Sequence, residues 1–232
     1  TNGTERSSIV AARPALDVKK SGPNAGLGIP YEPMLVIQAQ AQLLKDADKL
    51  AASKPYRFDI VDVQRQMMTN LGQLVHKKAA EAFVAKDKAA FTLHSRRFLE
   101  LLSDMDELLY TRSEYSFDKW LTEARSWGET KEEKDLMERD ATSLVTIWGA
   151  DGDPRIFDYS WREWAGLING YYLPRWQKFY TMLQGHLDAG TDYQEEGLPL
   201  AYGREDFRAN DFYNQLADWE LAYVVQTDKA RI

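Results

Sequence analysis

The chain of 232 residues carries 29 basic and 36 acidic side chains, a net charge of −7, and 44% of its residues are apolar. This length and apolar fraction suit one large globular domain or two small ones. Because the net charge is acidic and no block of lysines and arginines occurs, the sequence has no electrostatic signature of nucleic-acid or anionic-membrane binding. We therefore expect neither partner.

The sequence contains no cysteine. This excludes a disulfide framework, Cys-ligated zinc, an iron–sulfur cluster and a thiol nucleophile. The apolar stretches are far shorter than the roughly 20 residues that cross a bilayer, so a soluble chain is expected. The chain begins at Thr1 without a signal-like apolar segment, which predicts a processed protein or a piece of a longer one.

Helix-forming residues crowd the long segments, and period-two alternation of apolar residues is almost absent. The sequence therefore predicts an all-α fold of about seven helices in a single bundle-like domain. Residues 1–30 are rich in glycine and proline and predict an irregular arm or linker that crosses a surface. Residues 31–232 are expected to form the helical domain.

Cap and breaker residues predict the ends of the first helices. Pro33 suits the first turn of a helix over about 32–52, whose apolar residues fall along one side. After a break at Pro55, Asp59 caps a long second helix, and Asp87 caps a third. Because so short a break separates the second and third helices, they should pack as an antiparallel pair. The apolar residues of the first helix are Leu35, Ile37, Ala41, Leu44 and Leu50.

Further capping signals follow along the chain. Ser116 caps a short fourth helix. Thr130 and Glu133 have the spacing of a capping box, so they begin a fifth helix that extends to Trp148. The next residues, 149–155, are rich in glycine and aspartate and predict a loop.

The sixth predicted helix carries most of the aromatic residues. Ser160 and Glu163 form a second capping box at its start. Because the helix is apolar on nearly every side, it is expected to be central. Pro174 predicts a kink at residues 171–173, and a seventh helix spans about 205–227.

No group of residues within the chain forms a complete active site. The three histidines, His76, His94 and His186, are isolated and expected at exposed helix positions. Paired carboxylates act on glycosides, yet those at 104–107 and 132–135 lie among charges on amphipathic helices. They are better explained as solvated faces, and neither a metal nor a cofactor is expected.

Aromatic residues set this sequence apart, with seven tryptophans and twelve tyrosines. Core packing best explains those that follow one helix face. These are Trp164, Tyr171, Trp176 and Phe179. Tyr159 has a structural explanation too, because its ring can pack onto Trp164 before the next helix. Trp148 stands at a helix end beside the loop, where an aromatic ring is well placed to stack on a sugar.

Linked motifs, in order, resemble the C-terminal region of the α-N-acetylglucosaminidases, glycoside hydrolase family 89. They are RPAL at 13–16, RFDIVDVQR at 57–65, WLTEAR at 120–125, LVTIWG at 144–149, IFDY at 156–159, WAGL at 164–167 and YYLPRW at 171–176. The resemblance covers nearly the whole chain.

The resemblance implies an enzyme that removes terminal α-linked N-acetylglucosamine with retention, using two glutamates on a (β/α)8 barrel that precedes this region. It implies that this chain is the all-helical domain that packs on the barrel and lines one side of the sugar pocket. The catalytic pair then lies outside the chain, which should be inactive alone. Positions similar to the sugar-contacting ones of the family are Trp148, Ile156 and Tyr159.

The family acts on extracellular or lysosomal glycans, so the resemblance implies a secreted or periplasmic location in a bacterium and a lysosomal one in an animal. An alternative from another class stays open. This is a stand-alone helical carbohydrate-binding or scaffold module with no catalysis.

Overall fold

The computed structural model describes residues 8–22, 25–148, 157–195 and 211–229. Eight α-helices lie in these ranges, one more than the sequence predicts because the first predicted helix is divided. They are α1 (Pro33–Leu44), α2 (Ala47–Leu50), α3 (Lys54–Val84), α4 (Lys88–Tyr110), α5 (Phe117–Arg125), α6 (Lys131–Val145), α7 (Leu173–Ala189) and α8 (Asp211–Val225). The two-residue strands β1 (Lys20–Ser21) and β2 (Ala25–Gly26) pair antiparallel, with Lys20 opposite Gly26. The all-α prediction is confirmed, and none of the helices in these ranges is long and apolar enough to span a membrane.

The longest helices, α3 and α4, share the most extensive helix–helix contact of the described chain. Asp87 Oδ1 accepts the Ala90 N–H at 2.9 Å and so caps α4 as predicted. Because only residues 85–87 separate the two helices, they pack as an antiparallel pair. Buried α4 side chains at helical spacing fill the core beside α3. They are Phe91, Phe98, Leu102, Met105 and Leu109.

The predicted caps of α5 and α6 are confirmed. Ser116 Oγ accepts the Lys119 N–H at 3.0 Å. Thr130 Oγ1 accepts the Glu133 N–H at 3.2 Å, and the Glu133 carboxylate accepts the Thr130 N–H at 3.1 Å. Hydrogen bonds between residues three apart in the sequence therefore decide where these helices begin.

The second predicted helix begins earlier than expected. α3 starts at Lys54, with Ser53 in the N-cap position and Pro55 in the first turn. The prediction that Pro55 breaks the chain and that Asp59 caps the helix is wrong. A proline in the first turn lacks an N–H that would have no partner there, so it can begin a helix.

The apolar side of the first predicted helix is exposed. A turn at residues 45–46 divides it into α1 and α2, and α1 packs on α3 with Gln40 buried. Four large apolar side chains of α1 expose between 45% and 57% of their surface. We call these residues the α1 face, and they are Met34, Leu35, Ile37 and Leu44.

The capping box predicted at Ser160 and Glu163 is wrong, since residues 160–164 are not helical. The Glu163 carboxylate is buried and accepts hydrogen bonds from α3 and from the N-terminal segment. Its donors are the Ser8 hydroxyl at 2.5 Å, the Thr69 hydroxyl at 2.7 Å and the Arg65 guanidinium. Because Glu163 binds groups that are distant in the sequence, its carboxylate does not form the predicted local cap.

A π-helical turn at Ile168–Tyr172 precedes α7, and the Leu173 N–H bonds to the Ile168 carbonyl. Pro174 then lies in the first turn of α7. The residues at which the sequence predicts a kink, 171–173, are the end of the π-helical turn and the first residue of α7. A π-helical turn is one way in which a helix accommodates an interrupted hydrogen-bond ladder. The last predicted helix is α8, and its predicted residues 205–210 lie outside the described ranges.

The N-terminal segment enters the core, which corrects the expected surface arm. Residues 9–12 each expose at most 1% of their surface and belong to the main apolar cluster. Trp176 Nε1–H donates to the Val10 carbonyl at 3.2 Å, and Arg175 donates to the Ala11 carbonyl at 2.9 Å. Buried irregular backbone needs such donors, so α7 side chains hold the segment in place.

Replacing Trp176 by Ala should lower the free energy of unfolding by about 3–5 kcal/mol, as for other large aromatic core deletions. The ring is fully buried, and its centroid lies 4.7 Å from those of His76 and Phe98. Trp127→Ala is the matched control, because Trp127 is 84% exposed and its removal should change stability by less than about 0.5 kcal/mol. Urea denaturation measures both, and a loss under about 1 kcal/mol for Trp176 would contradict its core position.

Candidate functional site

Two of the three residues predicted to contact sugar lie together beyond the end of α6. The ring centroids of Trp148 and Tyr159 are 4.7 Å apart, with an interplanar angle of 46°. Tyr159 is 40% exposed and Trp148 is half-buried. The third residue, Ile156, lies outside the described residues. We call Trp148 and Tyr159 the aromatic pair.

Backbone hydrogen bonds hold the two chain segments that carry the aromatic pair. α6 ends at Val145 and not at Trp148 as predicted, and Trp148 has a left-handed φ of 57°. Its N–H donates to the Ser143 carbonyl at 2.6 Å. The Asp158 N–H donates to the Thr146 carbonyl at 2.7 Å, which joins the segment before Trp148 to the segment before Tyr159.

Apolar packing and a close backbone approach support the same segments. Ile147 and Phe157 pack with Val224 of α8 in a small buried cluster. On the β1–β2 hairpin, Gly22 has a φ of 64°, and a Cβ there would lie 2.5 Å from the Asp158 carbonyl oxygen. Only glycine fits this position without displacing the Asp158 backbone.

The Asp158 carboxylate, immediately before Tyr159, is buried against charged partners. Arg175 Nη1 donates to its two oxygens at 3.1 and 2.8 Å, and to Glu220 at 2.9 Å. Burial raises the pKa of Asp158 to about 6, although the Arg175 charge opposes the rise and the Glu220 charge adds to it. The carboxylate is therefore fixed by charged hydrogen bonds inside the core.

A cavity of about 470 Å³ opens beside Tyr159. Aromatic rings and charged side chains line it together: Arg65, Tyr115, Tyr159, Ser160, Trp161, Arg162, Glu163 and Trp164. Arg65 bonds to Asp62 at 2.8 Å and to Glu163, so these two carboxylates compensate its charge. Open aromatic faces beside hydrogen-bonding groups can bind and orient a sugar.

Comparison with known proteins places this chain in a family. A family model described as the α-N-acetylglucosaminidase (NAGLU) C-terminal domain matches residues 1–232. The chain belongs to this family. The curated α-N-acetylglucosaminidase of Homo sapiens is 31% identical over 229 residues, which are 98% of this chain and 28% of the human protein.

Solved structures agree with the family. A family 89 glycoside hydrolase from Clostridium perfringens in complex with PUGNAc is 29% identical, with a TM-score of 0.81 over 97% of this chain and 24% of its own. A Clostridium perfringens enzyme in complex with its substrate GlcNAc-α-1,4-galactose has the same identity and a TM-score of 0.80 over 98% of this chain. This chain spans about a quarter of the length of these relatives. The predicted C-terminal helical domain of an α-N-acetylglucosaminidase is confirmed.

One cluster of carboxylates in this family domain has the composition of a cation site. Ligand oxygens of Asp135, Glu138 and Asp228 lie within 4.8 Å of one another. Arg125 contacts all three carboxylates, at 2.8, 2.6 and 3.3 Å. The Asp228 and Lys229 N–H groups also donate to Glu138, at 3.0 and 2.8 Å. The cluster is thus an ion-pair network that holds residues 228–229 against α6.

Two side chains that the sequence predicts as solvated or exposed are buried. Asp106 of α4 accepts the N–H groups of Gly166 and Asn169 at 2.7 and 3.1 Å, beside the π-helical turn. His76 is 4% exposed, with Nδ1 2.8 Å from the Tyr180 hydroxyl. Their partners lie 60 to 104 residues away in the sequence, so helical spacing does not reveal them.

Arg175 and Asp158 receive no role from sequence reasoning, although both lie in motifs that carry the family resemblance. The signal that could have found Arg175 is its charge. An arginine in a helix that is apolar on nearly every side needs a buried anionic partner. Asp158 and Glu220 are that partner, 17 and 45 residues away, and the helical pattern does not identify them among 36 acidic residues.

The buried His76 should make stability depend on pH. Burial lowers its pKa from 6.5 to about 4, although the carbonyls of Ala15 and Leu16 oppose the shift. Between these two values the unfolded chain binds a proton that the folded chain does not, so stability falls as the pH falls. From pH 7 to pH 5, His76 should reduce the free energy of unfolding by about 2 kcal/mol.

Urea denaturation of the unchanged chain and of His76→Gln at both pH values tests this expectation. The variant should lose the part of the pH dependence that His76 causes, while its stability at pH 7 gives the separate packing cost of the substitution. An equal change between pH 7 and pH 5 in the two proteins would contradict the assignment.

Proposed function

We propose that this chain forms one side of the pocket for terminal α-linked N-acetylglucosamine in a retaining α-N-acetylglucosaminidase. The observation that carries the proposal is the aromatic pair, in which Trp148 and Tyr159 hold partly exposed rings against each other. Such rings stack on the apolar face of a sugar while polar groups nearby orient it. The Clostridium perfringens relative, in complex with GlcNAc-α-1,4-galactose named as its substrate, supports the choice of sugar. Ile156 belongs to the same proposed contact set by its similarity to the family's sugar-contacting positions.

Hydrolysis itself is assigned to a barrel domain of the parent enzyme that precedes this chain and carries the two catalytic glutamates. Within the described ranges, the most buried carboxylates accept hydrogen bonds from fixed partners. They are Asp106, Glu138, Asp158, Glu163 and Glu220. A carboxylate held in this way is poorly placed to exchange a proton with a substrate. The role proposed for this domain is therefore sugar binding and not proton transfer.

The surface that this barrel covers is proposed to include the α1 face. The relatives are about four times as long as this chain, and the family model names this part as the C-terminal domain, so a large part of the parent enzyme is inferred to precede it. Four exposed apolar side chains on one helix suit an interface within a chain. The partner is thus another domain of the same polypeptide.

Two hydrogen bonds join α1 and the residue just before it to α3. The Tyr56 hydroxyl donates to the Leu43 carbonyl at 2.6 Å, and the Tyr31 hydroxyl donates to Asn70 at 3.1 Å. α1 therefore packs along residues 56–70 of α3, which leaves its own exposed apolar side chains free for a partner domain.

The alternative, a stand-alone carbohydrate-binding or scaffold module with no catalysis, is not favoured. The chain matches the family's C-terminal domain over its whole length, and its solved relatives are larger glycoside hydrolases. The proposed parent enzyme is secreted or periplasmic in a bacterium and lysosomal in an animal.

Lysine substitutions in the α1 face should separate the isolated chain from the parent enzyme. Ile37→Lys with Leu44→Lys should change the melting temperature of the isolated chain very little, because both side chains are exposed there. In the parent enzyme the same pair should lower it clearly, since a buried Leu or Ile contributes about 1.5–3 kcal/mol. Leu93→Lys on α4, also at an exposed apolar residue, is the control. Equal shifts for both substitutions in the parent enzyme would contradict the interface.

Trp148→Ala should weaken transition-state binding in the parent enzyme by about 1–3 kcal/mol, the worth of burying one apolar side chain. In the isolated chain it should cost little stability, because the indole is half-buried without the rest of the enzyme.

Tyr159→Phe keeps the ring and removes one hydroxyl. It should therefore lower kcat/KM, with a loss of transition-state binding of about 0.5–1.5 kcal/mol. The exposed Trp127, replaced by Ala, serves as control and should leave kcat/KM unchanged.

Kinetics of the parent enzyme and thermal melts of the isolated chain decide between binding and packing. Unchanged kcat/KM with a strongly lowered melting temperature would show that the aromatic pair has a packing role only, and the proposed pocket wall would have to be abandoned.

A further inference from the structure

The guanidinium of Arg175 joins α7 to three other segments and is fully buried. Nη1 donates to the Asp158 carboxylate and, at 2.9 Å, to Glu220 of α8. Nη2 donates to the carbonyls of Ala11 and Ala12, at 2.9 and 3.3 Å. The proposed sugar contacts use none of these bonds, yet one of them reaches the residue next to the aromatic pair.

The bond from Arg175 to Asp158 reaches the turn that carries Tyr159. Asp158 has a left-handed φ of 59°, which residues other than glycine adopt uncommonly. Such a conformation persists when surrounding contacts fix it, and here Arg175 holds both carboxylate oxygens while the Asp158 N–H bonds to Thr146. Because Thr146 lies two residues before Trp148, this hydrogen bond joins the turn before Tyr159 to the segment that carries Trp148.

We propose that Arg175 is a positioning residue for the aromatic pair. Through the Asp158 carboxylate, it fixes the turn that holds Tyr159 against Trp148. Arg175 is fully buried and acts through Asp158 without touching the sugar. What the aromatic pair binds rests on the proposed function, whereas the positioning is a property of this chain and is tested in it.

Glu220 supplies a matched control. Its carboxylate is buried, accepts from the same Arg175 nitrogen as Asp158 does and also pairs with Arg13, but it lies on α8 and adjoins neither ring in the sequence. Asp158→Asn and Glu220→Gln each remove one negative charge beside the same guanidinium and keep the size of the side chain. A general loss of charge balance affects both variants, whereas loss of positioning affects only Asp158→Asn.

The experiment is ¹⁹F NMR of the full chain labelled with 5-fluorotryptophan. The Trp148 resonance is assigned by its absence in Trp148→Phe, and far-UV circular dichroism verifies that each variant is folded. Asp158→Asn should shift or broaden the Trp148 resonance, and Glu220→Gln should leave it in place. An unchanged resonance in Asp158→Asn, or equal changes in both variants, would overturn the proposal.

A second variant tests the turn without changing any charge, and it replaces Asp158→Asn if that protein does not fold. Gly22→Ala places a methyl group 2.5 Å from the Asp158 carbonyl oxygen and should displace the turn and move the Trp148 resonance. Gly26→Ala, on the same hairpin with open space around its Cβ, is the control and should leave the resonance unchanged. No effect of Gly22→Ala would overturn the link between this turn and the ring.

Failure of the positioning and failure of the proposed function are distinguishable. If Trp148→Ala leaves kcat/KM of the parent enzyme unchanged, the pocket role is lost, but the ¹⁹F result still decides the positioning. If both hold, Asp158→Asn in the parent enzyme should lower kcat/KM by about tenfold to a hundredfold, as small misplacements of binding groups do. Glu220→Gln should lower it by less than about twofold, and equal losses would contradict the positioning role.

Discussion

Two arginines and two carboxylates form a buried group of charges on which the irregular segments of this fold depend. Arg175 pairs with Asp158 and Glu220, and Arg13 pairs with Glu220 at 2.5 Å. The two positive and two negative charges balance, which makes their burial tolerable. Removing one member of such a group leaves an uncompensated buried charge at a cost of about 3–5 kcal/mol. The N-terminal segment, the turn before Tyr159 and α8 are all joined to α7 through this group.

Other buried carboxylates attach irregular backbone to the helices in the same way. Glu163 binds Ser8 of the N-terminal segment, Asp106 binds the residues around the π-helical turn, and Glu138 binds the backbone of residues 228–229. Buried N–H groups outside regular helices need such acceptors. The proposed sugar-binding rings also lie outside regular helices, on two segments joined by a backbone hydrogen bond, so we expect hydrogen bonds of the core, more than helix geometry, to set their positions.

Local signals predict those parts of the fold whose hydrogen bonds close within one helical turn. The caps at Asp87, Ser116 and Thr130 were predictable because donor and acceptor are three residues apart. The same pattern at Glu163 was misleading, because Arg65 and two hydroxyl groups of distant segments compete for the carboxylate. The family resemblance identifies Trp148 and Tyr159 as candidate sugar contacts. It predicts neither the contact between the two rings nor the burial of Asp158 beside Tyr159.

By itself, the sequence determined the all-α class, the starts of several helices and the family of the chain, since these depend on short-range periodicity, capping and linked motifs. Only the tertiary structure decided which charged and apolar side chains are buried. It exposes the α1 face, buries His76 and Arg175, and brings Trp148 against Tyr159. The physical reason is that burial and ion pairing depend on segments that are distant in the sequence, and one-dimensional patterns do not specify which of them meet.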